Sequence, residues 1–104
     1  MANILDKIIE DKKESLKLIK KTNSLNSLEN KIKSLNNLLN FKDAISNNKG
    51  VSLITEIKKA SPSAGELVKD FNHLKIAKIY KDSGATCLSV LTEEKHFLGK
   101  LEYI

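Results

Sequence analysis

The fold of this chain is decided by two short apolar runs, Val51-Ser-Leu-Ile-Thr-Glu-Ile57 and Ala85-Thr-Cys-Leu-Ser-Val-Leu91. The first is rich in β-branched residues, the second is mostly apolar, and each follows a glycine, which predicts two β-strands. Between them, residues 73–82 place apolar side chains at helical spacing, at Leu74, Ile76, Ala77 and Tyr80. Asn72 is positioned to cap this helix and Gly84 follows its end. The order strand, helix, strand predicts a parallel βαβ unit of an α/β fold.

The residues before the first strand have the period of amphipathic helices. One apolar stripe predicts a helix that ends near Lys21, and it comprises Ile4, Leu5, Ile8, Ile9, Leu16 and Ile19. After a polar break at residues 22–26, a second and weaker helical stripe follows, at Leu28, Ile32, Leu35 and Leu39. Residues 41–45 either extend that helix or form a short third one. We therefore divide the chain into a helical extension, residues 1–48, and an α/β part, residues 49–104.

Composition excludes several classes of protein. With 104 residues the chain has room for one domain. Its 18 basic residues are all lysine and it has five aromatic residues, whereas sequence-specific nucleic-acid recognition relies on arginine and on stacking. The single cysteine, Cys87, rules out an internal disulfide framework, and we expect it to be a small core residue of a cytoplasmic protein. No apolar run approaches the roughly 18 residues of a membrane span, so no membrane partner is expected.

The best candidates for chemistry lie where the first strand ends. Strand alternation places Glu56 and Lys58 on one face, at the carboxyl end that opens into residues 58–72. The loop after the second strand, residues 92–99, should lie beside it, and such loops carry the sites of α/β folds. From the residues alone, Glu56 and Lys58 form either a site or a solvent-exposed ion pair. Residues 61–65, Ser-Pro-Ser-Ala-Gly, either bind an anion or form an ordinary turn.

The motifs occur in an order that resembles one known family. They are Ile54-Thr-Glu-Ile-Lys-Lys-Ala-Ser-Pro-Ser63, then Asp70-Phe71, then Ser89-Val-Leu-Thr-Glu-Glu-Lys-His-Phe-Leu-Gly99. Together they resemble indole-3-glycerol-phosphate synthase, from about residue 41 to residue 104. The resemblance implies an α/β fold, the N-terminal portion of a (β/α)8 TIM barrel preceded by an amphipathic helical extension.

The same resemblance implies a function. A carbon–carbon lyase of tryptophan biosynthesis would convert 1-(2-carboxyphenylamino)-1-deoxyribulose 5-phosphate to indole-3-glycerol phosphate, CO2 and water, using neither metal nor organic cofactor. Glu56 matches the glutamate on the sugar-hydroxyl side of the site, and Lys58 matches the lysine that holds the substrate's anionic groups and assists catalysis. Ser61 matches a substrate-contacting serine, and Phe97 matches the aromatic residue that packs on the substrate ring.

The resemblance covers only the first two strands of a barrel. Two strands cannot close an eight-stranded barrel, and the family's principal general-acid lysine and general-base glutamate lie on later strands. We therefore expect an incomplete fragment that is inactive alone. Two alternatives stay open: a non-catalytic binding or assembly module, and one half of a split enzyme that associates with a complementary barrel fragment. Association with other enzymes of the tryptophan pathway is a further expectation.

Overall fold

The computed structural model describes residues 3–104, which form two compact units, one ending at Leu39 and the other spanning Asn40–Ile104. The first unit contains two helices, α1 (Ile4–Thr22) and α2 (Leu25–Lys33). The capping box that begins α1 is formed by Asn3, whose side chain accepts from the Asp6 amide, and by Asp6, whose carboxylate accepts from the Asn3 amide. Ser24 caps α2 in a similar way, by accepting from the Ser27 amide.

Helix α2 ends earlier than its apolar stripe predicts, so the predicted continuation to Leu39 is wrong. The hydroxyl of Ser34 donates to the carbonyl of Lys31, 2.8 Å away, and Asn37 adopts a left-handed backbone with φ 57°. Serine and asparagine side chains compete for backbone groups in this way, and asparagine tolerates a left-handed conformation. The helix therefore ends at Lys33, before the last two leucines of the stripe, Leu35 and Leu39.

The second unit begins with a separate short helix and contains the predicted βαβ arrangement. It comprises α3 (Phe41–Ser46), β1 (Ile54–Ile57), β2 (Ala60–Ser61), β3 (Gly65–Glu66), α4 (His73–Asp82), β4 (Cys87–Val90) and a 3-10 turn (Leu101–Tyr103). Strands β1 and β4 are parallel neighbours, which confirms the predicted pairing. Helix α4 begins and ends where its spacing predicts, with Asn72 accepting from the Lys75 amide.

Both strands of the parallel pair are shorter than their apolar runs. Residues 51–53 precede β1 because other bonds hold them: Asn48 donates to the Val51 carbonyl, and the hydroxyl of Ser52 donates to the Ile45 carbonyl. The Leu53 carbonyl nevertheless accepts from the amides of Thr86 and Cys87, so pairing continues one residue before β1. The loop that follows β1 contains a small antiparallel hairpin, β2 and β3, which the sequence did not predict.

The core of the second unit lies around the end of β1. Ile57 is 2% exposed, and Ala60 and Cys87 are also buried. Helix α4 packs against β1, and α3 packs against β4. Ile54 and Leu88, by contrast, remain 52% and 40% exposed, so the sheet is covered only in part. Among residues 3–104, no helix has both the length and the apolar character that crossing a membrane requires.

Candidate active site

The carboxyl end of β1 is held in place from two directions. The hydroxyl of Tyr80, on α4, donates to the carbonyl of Glu56 at 2.9 Å. The amide of Leu91, just after β4, donates to the carbonyl of Ile57 at 3.1 Å. Since parallel strands end at the same edge, the loops that follow β1 and β4 begin side by side, as predicted.

Glu56 and Lys58 meet at this edge. The Nζ atom of Lys58 lies 3.0 Å from Oε1 of Glu56, which confirms that alternation places the two side chains on one face. The lysine side chain is 33% exposed and the glutamate 46%, so a ligand in solvent has access to both. Ion pairs this open contribute little to stability, about 0–1 kcal/mol. The pair therefore offers a cation and an acceptor to a ligand without being needed for the fold.

The strand register adds a residue that sequence analysis did not select. Ser89 on β4 is the direct partner of Glu56 on β1 and is exposed. Residues paired across a parallel sheet share a face, so a hydroxyl stands next to the Glu56–Lys58 pair. The register could have been deduced only by aligning the two strands in space, since either run could slide along the other in sequence.

Ser61 lies on the hairpin that follows β1. Its hydroxyl oxygen accepts from the amide of Ala64 at 3.2 Å and lies 3.5 Å from the hydroxyl of Ser63. These bonds shape the turn, and Gly65 closes it with a φ of 68°, a conformation that favours glycine. The residues 61–65 thus form a turn, and the half-buried position of Ser61 leaves its contact with substrate as a prediction.

Phe97 lies on the loop after β4, and it too is half-buried. Its amide donates to Oε2 of Glu93 at 3.0 Å. The same carboxylate accepts from the amides of Lys95 and His96, so it orders the segment that carries Phe97. Sequence analysis missed this role of Glu93, since a Thr-Glu-Glu-Lys run has no pattern that distinguishes a carboxylate bonded to backbone amides from a solvated one.

A groove of about 690 Å³ separates the two loops. Lys59 lines it from the first loop and Glu94 and Gly99 line it from the second, and His73 and Tyr103 also belong to the lining. The rings of His73 and Tyr103 lie 4.6 Å apart. The lining of this groove contains none of the four predicted site residues, Glu56, Lys58, Ser61 and Phe97. Among residues 3–104, no three His, Cys, Asp or Glu side chains form a cluster suited to a metal ion.

The chain is similar in sequence to the proteins of one known family. The sequence model of a family described as indole-3-glycerol phosphate synthase matches residues 5–104. Proteins of that name are 49% identical over 102 residues in Clostridium acetobutylicum and 46% identical over 101 residues in Desulforamulus reducens, each match covering 97% of this chain and 38% of the relative. In Legionella pneumophila (strain Paris) the identity is 41% over the whole chain and 40% of the relative. The chain thus spans about two-fifths of the length of these relatives.

Proposed function

This chain belongs to the indole-3-glycerol phosphate synthase family, and on that ground we propose that it supplies the first two strands of a synthase active site in the cytoplasm. The proposed reaction closes the ring of 1-(2-carboxyphenylamino)-1-deoxyribulose 5-phosphate and releases CO2 and water. The proposed architecture is a (β/α)8 barrel, of which β1, α4 and β4 are the first strand, helix and strand. The observation that carries the proposal is the Glu56–Lys58 pair at the carboxyl end of β1.

The geometry of that pair suits the proposed substrate, which carries a carboxylate, a phosphate and sugar hydroxyls. The ammonium group of Lys58 is a point charge that attracts either anion. Glu56 holds this ammonium at 3.0 Å through one carboxylate oxygen, and its second oxygen is available to accept from a sugar hydroxyl. In a barrel, the carboxyl ends of the strands form the active-site face, and the pair lies at that end.

These contacts support a proposed role for each residue. Lys58 stabilises negative charge on the bound substrate and on the oxygen that gains electron density as the new carbon–carbon bond forms. Glu56 orients both Lys58 and the sugar. We assign Ser61 and Phe97 to binding, the serine through its hydroxyl and the phenylalanine through contact with the substrate's aromatic ring. The acid and base that complete the reaction would come from strands beyond those described.

The uncovered faces of β1 and β4 favour an association with further strands. Ile54 and Leu88 are too exposed for strands of a finished parallel sheet, which are normally covered on both faces. Two arrangements supply the remaining strands, one in which they belong to the same polypeptide and one in which they belong to a second, and an experiment distinguishes them. A non-catalytic module would bind a partner through the same faces without acting on the substrate.

The test uses a barrel chimera, defined as residues 1–104 joined to the part of the Clostridium acetobutylicum relative that lies beyond its match to this chain. We expect the chimera to form indole-3-glycerol phosphate, detected by its indole fluorescence. We expect the 104-residue chain to be inactive alone. Activity on mixing it with the separate complementary segment would support a split enzyme, and a folded but inactive chimera would favour the non-catalytic module.

Replacement of Lys58 tests its assigned role. In the barrel chimera, Lys58→Ala should lower kcat/KM by about 100-fold, because a bond to a charged group is worth roughly 1.5–3 kcal/mol. The far-ultraviolet circular dichroism spectrum should not change, since the ion pair is exposed. Lys69→Ala is the matched control, because Lys69 is an exposed lysine of the same loop. Near-normal turnover by Lys58→Ala would refute the role.

A further inference from the structure

The loop after β4 is organised by one carboxylate. Oε2 of Glu93 accepts from the amides of His96 and Phe97, at 2.7 and 3.0 Å, and Oε1 accepts from the amide of Lys95 at 3.0 Å. Three consecutive amides therefore converge on a single side chain. Bonds of this kind, from backbone N–H to an ionised acceptor, are stronger than bonds between neutral groups.

The backbone of Glu93 closes the same loop. Its carbonyl accepts from the amide of Gly99 at 2.7 Å, so residues 93–99 form a closed turn with both ends fixed. Leu98, immediately before Gly99, has a φ of 52°, a left-handed conformation that a leucine adopts only when its surroundings impose it. No helix or strand spans residues 91–100, and the bonds to Glu93 are among those that hold this loop in shape.

A neutral side chain of the same shape cannot replace this carboxylate. Glutamine has one acceptor oxygen, and its second terminal atom is an amide nitrogen that only donates. In the place of Glu93, that nitrogen would face at least one backbone N–H. Either Lys95 or the pair His96 and Phe97 would then lose an acceptor, and the loop would relax toward solvent.

We propose that Glu93 is a positioning residue that fixes Phe97 against the aromatic ring of the substrate. The inference rests on the proposed function, because it takes Phe97 as a ring contact. Glu93 itself directs both carboxylate oxygens toward backbone amides of its own loop, so it acts through Phe97. Disordering the loop lowers substrate affinity because the ordering of Phe97 must then be completed on binding.

The first test measures steady-state kinetics of the barrel chimera. Glu93→Gln should raise KM about tenfold, as expected for losing one bond to a charged acceptor, with a smaller change in kcat. Glu94→Gln is the matched control: this neighbouring carboxylate is exposed, and its change should alter KM about twofold or less. Glu93→Asp keeps the charge on a shorter side chain, so its KM should fall between the two.

A double-mutant cycle separates positioning from general stability. If Glu93 acts through Phe97, then Glu93→Gln should raise KM by no more than about twofold when Phe97→Leu has already removed the ring contact. A purely structural role would give the same tenfold change in both backgrounds, and that outcome would overturn the proposal. If Glu93→Gln does not fold, the KM of Glu93→Asp is compared with that of Glu94→Gln. A higher KM for Glu93→Asp supports the positioning role, and an equal KM overturns it.

Amide hydrogen exchange distinguishes failure of this inference from failure of the proposed function. In Glu93→Gln, the amides of Lys95, His96 and Phe97 should exchange faster than in the parent, while those of β1 should not change. If the parent chimera is inactive, the proposed function is refuted. Faster exchange in Glu93→Gln would then still support the role of Glu93 in ordering the loop. Unchanged exchange and unchanged KM in an active chimera would refute the positioning role.

Discussion

The loop after β4 packs so closely on the end of that strand that position 99 has no room for a side chain. A Cβ atom added there would lie against the carbonyl oxygen of Leu91 and 2.8 Å from two backbone carbonyl carbons, those of Leu91 and Thr92. These are main-chain atoms at the end of the sheet, so they cannot rotate away as a side chain would. The glycine is required here by the close approach of two backbone segments.

Gly99→Ala should therefore displace the loop from the end of β4. Overpacking of this kind costs about 1–3 kcal/mol, and here the strain is concentrated in residues 93–99. Limited trypsin digestion of the barrel chimera gives the measurement, because Lys95 lies in the displaced segment, and cleavage after it should accelerate. Lys100→Ala is the control: its side chain is exposed and its change should leave that rate as in the parent. A variant as resistant as the parent would contradict the packing described.

At this scale the sequence predicts contacts within one strand better than contacts with the backbone. The Glu56–Lys58 pair followed from alternation, which is a property of any strand. The bonds of Tyr80 to the Glu56 carbonyl and of Glu93 to three amides did not, because their partners are main-chain groups that only the folded turn brings within reach. Whether Ser61 and Phe97 contact substrate stays a prediction.

At the scale of secondary structure, the stability of helix α4 depends on the cap of its first turn. The side chain of Asn72 accepts from the amide of Lys75 at 3.1 Å and replaces one of the bonds that a helix start lacks. Asn72→Ala should lower the free energy of unfolding of the barrel chimera by about 1 kcal/mol, the usual cost of losing such a cap. Urea unfolding followed by circular dichroism measures it.

The control for this cap is Asn72→Asp, which keeps an acceptor oxygen at the same place and should stay within about 0.5 kcal/mol of the parent. An equal loss for alanine and aspartate would mean that Asn72 contributes through packing instead. Helix α4 also carries an exposed ion pair, Lys78 to Asp82 at 2.7 Å, but such pairs are worth little in water.

Helices and strands were predicted correctly where the sequence has several local signals, such as a cap, an apolar period and a terminating glycine. Helix α4 has a cap, an apolar stripe and a terminating glycine, and its predicted bounds are confirmed. Helix α2 was predicted too long because its leucine period continues past Lys33, where Ser34 caps the helix and the backbone of Asn37 is left-handed. Strands β2 and β3 have two residues each, too few to show any alternation, so nothing in their composition distinguishes them from a loop.

For the molecule as a whole, the exposed apolar side chains of the second unit favour association with other chains. Leu53, Ile54, Ile79 and Leu88 are all exposed around the two-stranded sheet. Contiguous apolar surface and unpaired strand edges promote association. The division between residues 1–48 and 49–104 stays a prediction, while the two compact units of the structure divide after Leu39.

The 104-residue chain alone should consequently bind the dye 1-anilinonaphthalene-8-sulfonate and should elute from a size-exclusion column at a volume that depends on its concentration. The barrel chimera should do neither, because further strands would cover those side chains. Ile54→Thr provides a matched variant that keeps β-branching and removes part of the apolar surface, and it should weaken both effects. A monodisperse, dye-free chain would contradict this and would support a self-sufficient module.

The single sulfhydryl of this chain is a buried side chain at the start of β4. Cys87 is 8% exposed, so a reagent in solution reaches its sulfur only when the residues that cover it move away. The reactivity of this thiol is therefore an intrinsic reporter of local opening. The rate at which Cys87 reacts with an aromatic disulfide would measure, without an added label, how often this position becomes exposed, and would show how far added strands slow that exposure.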